Sequence, residues 1–289
     1  DYYNKAISLR PDYVDAHNNM GIILQESGAT KEAIKAYKKS ILYRSDFASA
    51  HHNLSFALLN YGSYQEGLDE YEWRWKTDKY LSSYRHFSQP LWNKETSLNG
   101  KTILIWCEQG VGDTINWSSF ISHVASKAKH CILECQEKLV PLLERSFPNI
   151  EVKAEDRNMD TERNDFDFHI PIGSLYKNLS MDIFQKTKVD AYLVPNPDRI
   201  KYWRKRLNSI EKGPTIGISW KSVLMSPERI PNYTSILDWS PLLTIPNITF
   251  INLQPKDFKA DLNKIKNKFG VEVYNFDELD HFDNIDDVA

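Results

Sequence analysis

The chain of 289 residues has only three cysteines, Cys107, Cys131 and Cys135, and none of them form a CxxC pair. That scarcity argues against a disulfide-stapled secreted domain or a cysteine-rich metal centre; buried or incidental thiols in a reduced cytoplasmic compartment fit it. No apolar stretch is long enough to span a bilayer, and no signal peptide is visible. An excess of positive charge is also missing. With 36 Lys and Arg against 39 Asp and Glu, the net charge is −3, which gives no electrostatic support for nucleic-acid binding. What is present, 41% hydrophobic residues over this length, suffices for a sizeable core and more than one domain.

The clearest positive feature is an internal repeat. VDAHNNMGIILQESGATKEAIKAYKKSILYRSDF, from Val14, aligns with ASAHHNLSFALLNYGSYQEGLDEYEWRW, from Ala48, at an offset of 34 residues. Ala16 pairs with Ala50, Asn19 with Asn53, Met20 with Leu54, Leu24 with Leu58, Gly28 with Gly62 and Tyr37 with Tyr71. These small and large apolar positions resemble the tetratricopeptide pattern, in which paired antiparallel helices stack on the next pair. Carried backwards, the register puts Tyr3, Ala6 and Pro11 at the end of a preceding repeat, so the chain is expected to begin inside a helix, with its natural start upstream. Residues 1–80 are assigned to the repeats. His17, Asn18, His51, His52 and Asn53 have two readings, lining a concave peptide groove or filling solvated and capping roles.

From Tyr71 to Trp92 the period gives way to aromatic density, YEWRWKTDKYLSSYRHFSQPLW. The second repeat's last helix is expected to run on through Glu72, Trp73 and Trp75. The aromatics after it, in a linker over residues 81–99, read as a docking surface for the next domain or as a carbohydrate-stacking platform.

The remaining chain is organised around KTILIWCEQGVGDTINW, Lys101 to Trp117. Ile103 to Cys107 reads as a buried strand. Gly110 and Gly112 punctuate a turn, Asp113 and Thr114 are candidate helix caps, and Ile115, Phe120, Ile121 and Val124 have helical spacing. Such a strand, glycine loop and helix place the loop at the carboxyl end of a parallel sheet, where ligands bind. Its N–H groups favour an anion, and a carboxylate there can take a proton from a hydroxyl. Asp113 is therefore either a cap or a base. GxGD lacks the third glycine of a dinucleotide fingerprint and the Lys-Ser/Thr of a phosphate loop, so it names no reaction.

Further strands are expected at Cys131–Cys135, Ile150–Lys153 and Phe166–Ile172, with a helix from Glu137 to Phe147 whose Pro141 sits near the first turn. His169, near a strand end, reads as an acceptor contact or as a structural histidine. After the linker YLVPNP come a polar helix, Arg199–Leu207, a strand beginning at Thr215, a helix at Trp239–Thr244, a strand at Ile248–Leu253, a helix at Asp257–Phe269 and a strand at Val271–Tyr274. Alternating strands and helices without hairpins predict parallel, helix-covered sheets. The expected class is α/β with an all-α N-terminal part, the α/β part being two Rossmann-like domains, residues 100–195 and 196–289.

In order, EQGVGDTINW, LECQEKLVPLLER, DFDFHIPIGSL, AYLVPNP, TIGISWKS and FINLQ resemble the tetratricopeptide-linked relatives of bacterial ADP-heptose glycosyltransferases, glycosyltransferase family nine. The resemblance runs from about Trp92 to the chain end. It implies a GT-B fold in which the first domain handles the acceptor, the second binds a nucleotide sugar, and transfer inverts the anomeric carbon without a metal or other cofactor. Asp113 matches the family's acidic residue after the glycine loop, the proposed acceptor base, and Gln109, Gly110, Gly112 and Thr114 form the acceptor-side loop around it. Ser219, Lys221, Ser222, Arg229 and Gln254 are the candidates for holding the donor, with Lys221 and Arg229 supplying charge to the departing diphosphate; as plain exposed loop charges they would do nothing of the kind.

Family members continue beyond the position of DNIDDVA with a further donor-holding segment. The second domain is thus expected to be truncated and the supplied chain inactive or incomplete, with the parent protein transferring sugar to a saccharide or protein acceptor. The repeats would recruit a protein partner, and the incomplete second domain invites self-association through its sheet edge. The alternative is a noncatalytic tetratricopeptide scaffold. A dinucleotide oxidoreductase is disfavoured by the missing glycine fingerprint and ribose acid.

Overall fold

The computed structural model describes residues 2–157, 162–179, 191–210, 213–222, 230, 233–256 and 258–288. The chain is all-α at its N-terminus and α/β thereafter. It divides into two compact units, Asp1–Glu137 with Phe147–Tyr192, and Lys138–Ser146 with Leu193–Ala289.

The first unit opens with helices α1 (Tyr2–Leu9), α2 (Val14–Glu26), α3 (Thr30–Tyr43), α4 (Ala48–Tyr61) and α5 (Tyr64–Tyr71). The 34-residue period is written into the backbone as well as the side chains: Gly28 and Gly62, where the chain leaves α2 and α4, have φ of +82° and +90°. Glycine takes that left-handed conformation without the steric cost a Cβ would bring. Inside the repeat, a Cβ on Gly21 would lie 2.5 Å from the Tyr37 ring, so the missing side chain lets α2 and α3 close together. Leu54 and Leu58 bury against Ala33, Tyr37 and Ala57.

After Tyr71 the chain tightens into a 3-10 turn, Glu72–Lys76, rather than continuing as the α-helix expected through Trp75. The reason is local. Arg74 folds inward, and its Nη1 donates at 3.3 Å to the Tyr71 carbonyl, the group that the Trp75 N–H would take in an α-helix. A short helix, α6 (Asp78–Leu81), follows.

The aromatic stretch then acts as a docking surface. Trp75, Tyr84 and Phe87 surround the fully buried Trp106, with ring centroids 5.7, 6.1 and 6.3 Å from it. Trp92 is buried too, its Nε1 donating to the Thr96 carbonyl at 3.0 Å. For Trp92 and Trp106, burial removes the ring from water while the indole N–H keeps a hydrogen-bond partner.

Trp106 ends β1 (Thr102–Trp106), which with β2 (His130–Cys135), β3 (Glu151–Ala154) and β4 (Phe168–Pro171) forms a parallel sheet in the order β3-β2-β1-β4. The single helix expected after β1 is two, α7 (Val111–Ser118) and α8 (Ile121–Ala125), separated where Phe120 turns in to meet the Tyr176 ring. Between β2 and β3 lies α9 (Val140–Ser146), which belongs to the second unit; α10 (Leu175–Asn178) follows β4.

In the second unit, α11 (Pro197–Asn208) begins two residues earlier than its charge pattern suggested. Asn196 caps it by accepting from the Asp198 and Arg199 N–H groups, and Pro197 occupies the first turn, where it gives up no helical bond. Strands β5 (Thr215–Ile218), β6 (Thr249–Asn252) and β7 (Val273–Tyr274) form a second parallel sheet in that order. Helices α12 (Ser240–Leu243) and α13 (Lys259–Phe269) contribute Leu243 and Ile265 to a core with Ile218, Trp220, Ile236 and Phe250. Among the described residues no helix is long and apolar enough to cross a membrane.

Candidate functional site

At the carboxyl end of β1 the chain passes from Cys107 into the glycine loop. Gly110 is the N-cap of α7, with φ −71° and ψ 170°, a conformation open to any residue, and it makes no side-chain cap bond. Asp113 and Thr114 are therefore not caps, contrary to the sequence expectation. The helix starts earlier because the backbone turns at Gly110, leaving Asp113 exposed in the first helical turn and Thr114 buried behind it. A carboxylate in that turn is favoured by the unpaired N–H groups of the helix start. Neither Gly110 nor Gly112 has positive φ, and a Cβ on Gly112 would meet nothing within 4 Å.

An amide relay fixes the loop. Gln109 Nε2 donates to the Tyr71 hydroxyl oxygen at 2.5 Å, while the Gln109 carbonyl accepts from Gln136 Nε2 at 2.5 Å. Thr114 Oγ1 closes the ring by donating to Gln136 Oε1 at 3.1 Å. Gln136 follows β2, so the loop is held by the neighbouring strand on one side and by the end of α5 on the other.

Immediately before the loop lies a buried ion pair that the sequence did not reveal. The side chains of Arg74 and Glu108 are both 0% exposed, and Arg74 Nη2 stands 3.1 Å from Glu108 Oε1. Arg74 also donates to Glu72 Oε1 and to Ser174 Oγ, each at 2.7 Å, and Ser174 Oγ donates on to Glu72 Oε1 at 2.8 Å. Burial pushes the Glu108 carboxyl up to about 7, against the pull of the Arg74 charge. Burial also works against the Arg74 charge, yet Glu72 and Glu108 together raise it. Gly173 allows the approach: a Cβ there would lie 2.5 Å from Glu108 Oε1.

A second buried charge occupies β2. Glu134 Oε2 accepts from Arg85 Nη1 at 2.6 Å and its Oε1 from Arg163, while Arg85 also donates to the Asp156 carbonyl. Three histidines are held by hydrogen bonds within the fold. His169 Nδ1 accepts from Trp106 Nε1 at 3.2 Å, His17 Nε2 meets the Pro11 carbonyl, and His51 bridges Glu70 and the Ser45 carbonyl while stacked on Trp73. His52, ringed by Phe56, Tyr71 and Tyr80, is lowered to about 4, first by burial and then by Lys79 and Arg74. Asn53 Nδ2 donates to Asn18 Oδ1 at 3.0 Å, tying one repeat to the next.

In the second unit the structure brings Ser219, Lys221 and Gln254 together beyond β5 and β6. Gln254 is fully buried, and its Oε1 accepts from Ser219 Oγ at 3.3 Å, Trp220 N–H at 3.2 Å and Lys221 N–H at 3.1 Å. Two of those donors are backbone N–H groups, which fixes the carboxamide's orientation. Its Nε2 has no hydrogen-bond partner among the described residues. Asn252 holds the Gln254 backbone from below, accepting from its N–H at 3.0 Å, and itself donates to Asn275 Oδ1 at 2.8 Å. The Lys221 ammonium lies 3.1 Å from Asp261 Oδ2, which also accepts from Trp220 Nε1 at 3.0 Å; Lys264 sits 3.0 Å from the other oxygen. Ser222 follows, half-buried, and Arg229 lies outside the described residues. Among the described residues no group of three or more His, Cys, Asp or Glu side chains is placed to hold a metal ion.

A model of the Est1 DNA/RNA binding domain matches residues 1–67, the helical stretch. Those residues hold seven Lys and Arg against seven Asp and Glu, with none of the basic excess that phosphate backbones attract. Protein FlbA of Caulobacter vibrioides is 30% identical over 207 residues, 66% of this chain and 35% of FlbA. The chain thus spans about a third of the length of that curated relative. A crystal structure of MamA shares 24% identity over 28% of this chain and 48% of its own, with a TM-score of 0.25. A mutant O-GlcNAc transferase of Thermobaculum terrenum shares 12% over 94% of this chain and 69% of its own, with a TM-score of 0.28. At such TM-scores neither likeness bears on what this chain does.

Proposed function

We propose that the chain is part of a glycosyltransferase of the family-nine type, working in the cytoplasm, that moves a sugar from a nucleotide donor to a saccharide or protein acceptor. In this reading the first unit carries the acceptor side. Asp113, exposed at the start of α7, is the base that takes the acceptor hydroxyl's proton as the oxygen attacks the anomeric carbon from the face opposite the diphosphate. The leaving diphosphate needs positive charge and N–H donors. The second unit supplies candidates in Ser219, Lys221 and Gln254, with Ser222 and Arg229 as further candidates. The repeats recruit a protein partner, and self-association through the second domain's sheet edge belongs to the same proposal.

The observation that carries the reading is the Gln254 amide. The fully buried Gln254 Nε2 has no acceptor among the described residues, which costs about 1–3 kcal/mol, a cost that a ligand oxygen removes. It lies beyond the carboxyl end of a parallel strand, the place where α/β sheets take ligands, and Lys221, whose backbone N–H bonds to the same carboxamide, adds a cationic side chain. That Lys221 already faces Asp261 favours the second reading, a noncatalytic scaffold in which the cation is merely part of the fold.

Equilibrium titration of the full-length protein with UDP, GDP, ADP and CDP separates the two. The proposal requires one of them to bind and Lys221→Ala to weaken it about tenfold or more, the worth of a charge-assisted contact to phosphate. Absence of binding by all four, or identical affinity in the variant, favours the scaffold.

A further inference from the structure

In the first complete repeat, Tyr37 donates its hydroxyl to Gln25 Oε1 at 3.0 Å, a bond that stays within the helix pair. Tyr71 is its counterpart 34 residues on, but the position equivalent to Gln25 is Leu59, which can accept nothing. The Tyr71 hydroxyl is thereby released from the repeat, and it takes Gln109 Nε2 of the glycine loop at 2.5 Å instead. The same substitution of partners recurs three residues later. Ser40, fully buried, donates to the Val14 carbonyl inside its repeat at 3.0 Å; its counterpart is Arg74, which reaches out of the repeat to Glu108, the residue before Gln109. The Tyr71 ring also meets the edge of Trp117, which lies one helical turn beyond Asp113 on α7, at 6.3 Å between centroids. Three contacts from one turn of the repeat therefore fall on the residue before the loop, on the loop and on the helix that carries the candidate base.

We propose that the last turn of the repeat unit, through Tyr71 and Arg74, is a positioning element for the acceptor-side loop, setting Gln109 and hence Asp113 for reaction. This goes beyond recruitment of a partner by the repeats, since a repeat that binds a partner would act on the base itself; it rests on the glycosyltransferase reading for what the loop does, and on geometry alone for what holds it.

The test uses the full-length protein and hydrogen exchange of the backbone. Tyr71→Phe removes only the acceptor of Gln109, and Tyr37→Phe removes the equivalent bond within the first repeat. Loss of one such bond speeds local opening about fivefold. The expected result is that exchange over residues 109–114 rises by that factor in Tyr71→Phe, not in Tyr37→Phe, with β2 unchanged. No rise over 109–114, or an equal rise throughout β2 and α2, overturns the proposal. Steady-state turnover of the nucleotide sugar whose diphosphate binds most tightly gives the second readout: kcat falls in Tyr71→Phe while KM for the donor holds, whereas a raised KM at constant kcat counts against positioning. If the native protein turns over no nucleotide sugar, the glycosyltransferase reading fails, and the exchange result still decides whether the repeat holds the loop.

Discussion

Replacing Arg74 with Met removes a heavily engaged charge of the first unit while keeping much of its volume. The guanidinium is fully buried and gives hydrogen bonds to the Tyr71 carbonyl, Glu72, Glu108 and Ser174, at 3.3, 2.7, 3.1 and 2.7 Å. Its loss leaves Glu108 without a counter-charge at 0% side-chain exposure, a situation that costs about 3–5 kcal/mol when one partner of a buried pair is removed. For a domain of this size roughly 2–4 °C accompanies each kcal/mol, so the melting temperature should fall by roughly 6–20 °C. The double variant, Arg74→Met with Glu108→Gln, should recover part of that loss, because Gln brings no charge to be stranded. Calorimetry or urea titration of the four proteins completes a double-mutant cycle, with a coupling of about 0.5–3 kcal/mol expected for residues in contact. A single variant within about 1 kcal/mol of native, together with simple additivity in the double, would refute the view that this pair is a buried determinant of the fold.

Glu108 also sets a pH signature. Its carboxyl is held up at about 7, above the range of an unfolded glutamate, so the native state binds the proton more tightly. The stability this contributes is full below about 4.5 and is lost as pH rises through about 7; Glu108→Gln should remove that fall from a plot of unfolding free energy against pH, and parallel plots would contradict it. Gly21→Ala would drive a methyl to within 2.5 Å of the Tyr37 ring, and overpacking of this kind should cost about 1–3 kcal/mol in chemical denaturation, with no loss meaning the helices can part freely.

Much of the fold was legible because it depends on patterns that recur. The repeat shows itself in small residues and glycines at a fixed spacing, and the helices return that spacing as packing and as two left-handed glycines, Gly28 and Gly62. The parallel strands are apolar runs with punctuation, and Ile103 to Trp106 came out buried as read. Asp113 was visible as either a cap or a base, and the cap reading failed, since nothing in GVGD says which residue begins the helix. The buried charges were barely legible. Arg74 and Glu108 are types normally found at the surface, they stand 34 residues apart, and only the fold brings them together. One signal was present: the position of Arg74 is a small, buried serine, Ser40, one period earlier, so a charged residue there breaks the repeat's own rule. The Gln254 cradle was half-visible, as FINLQ and SWKS named its members, while the orphaned amide that gives it meaning appears only in three dimensions.

The central claim is sugar transfer with Asp113 as the base. It is tested most directly by release of nucleoside diphosphate from UDP-, GDP- and ADP-sugars by the full-length protein, native against Asp113→Ala. The account predicts turnover of at least one donor and a fall of about a hundredfold or more in the variant, the usual contribution of a general base. Turnover of none of the donors, or equal rates in the two proteins, would contradict it.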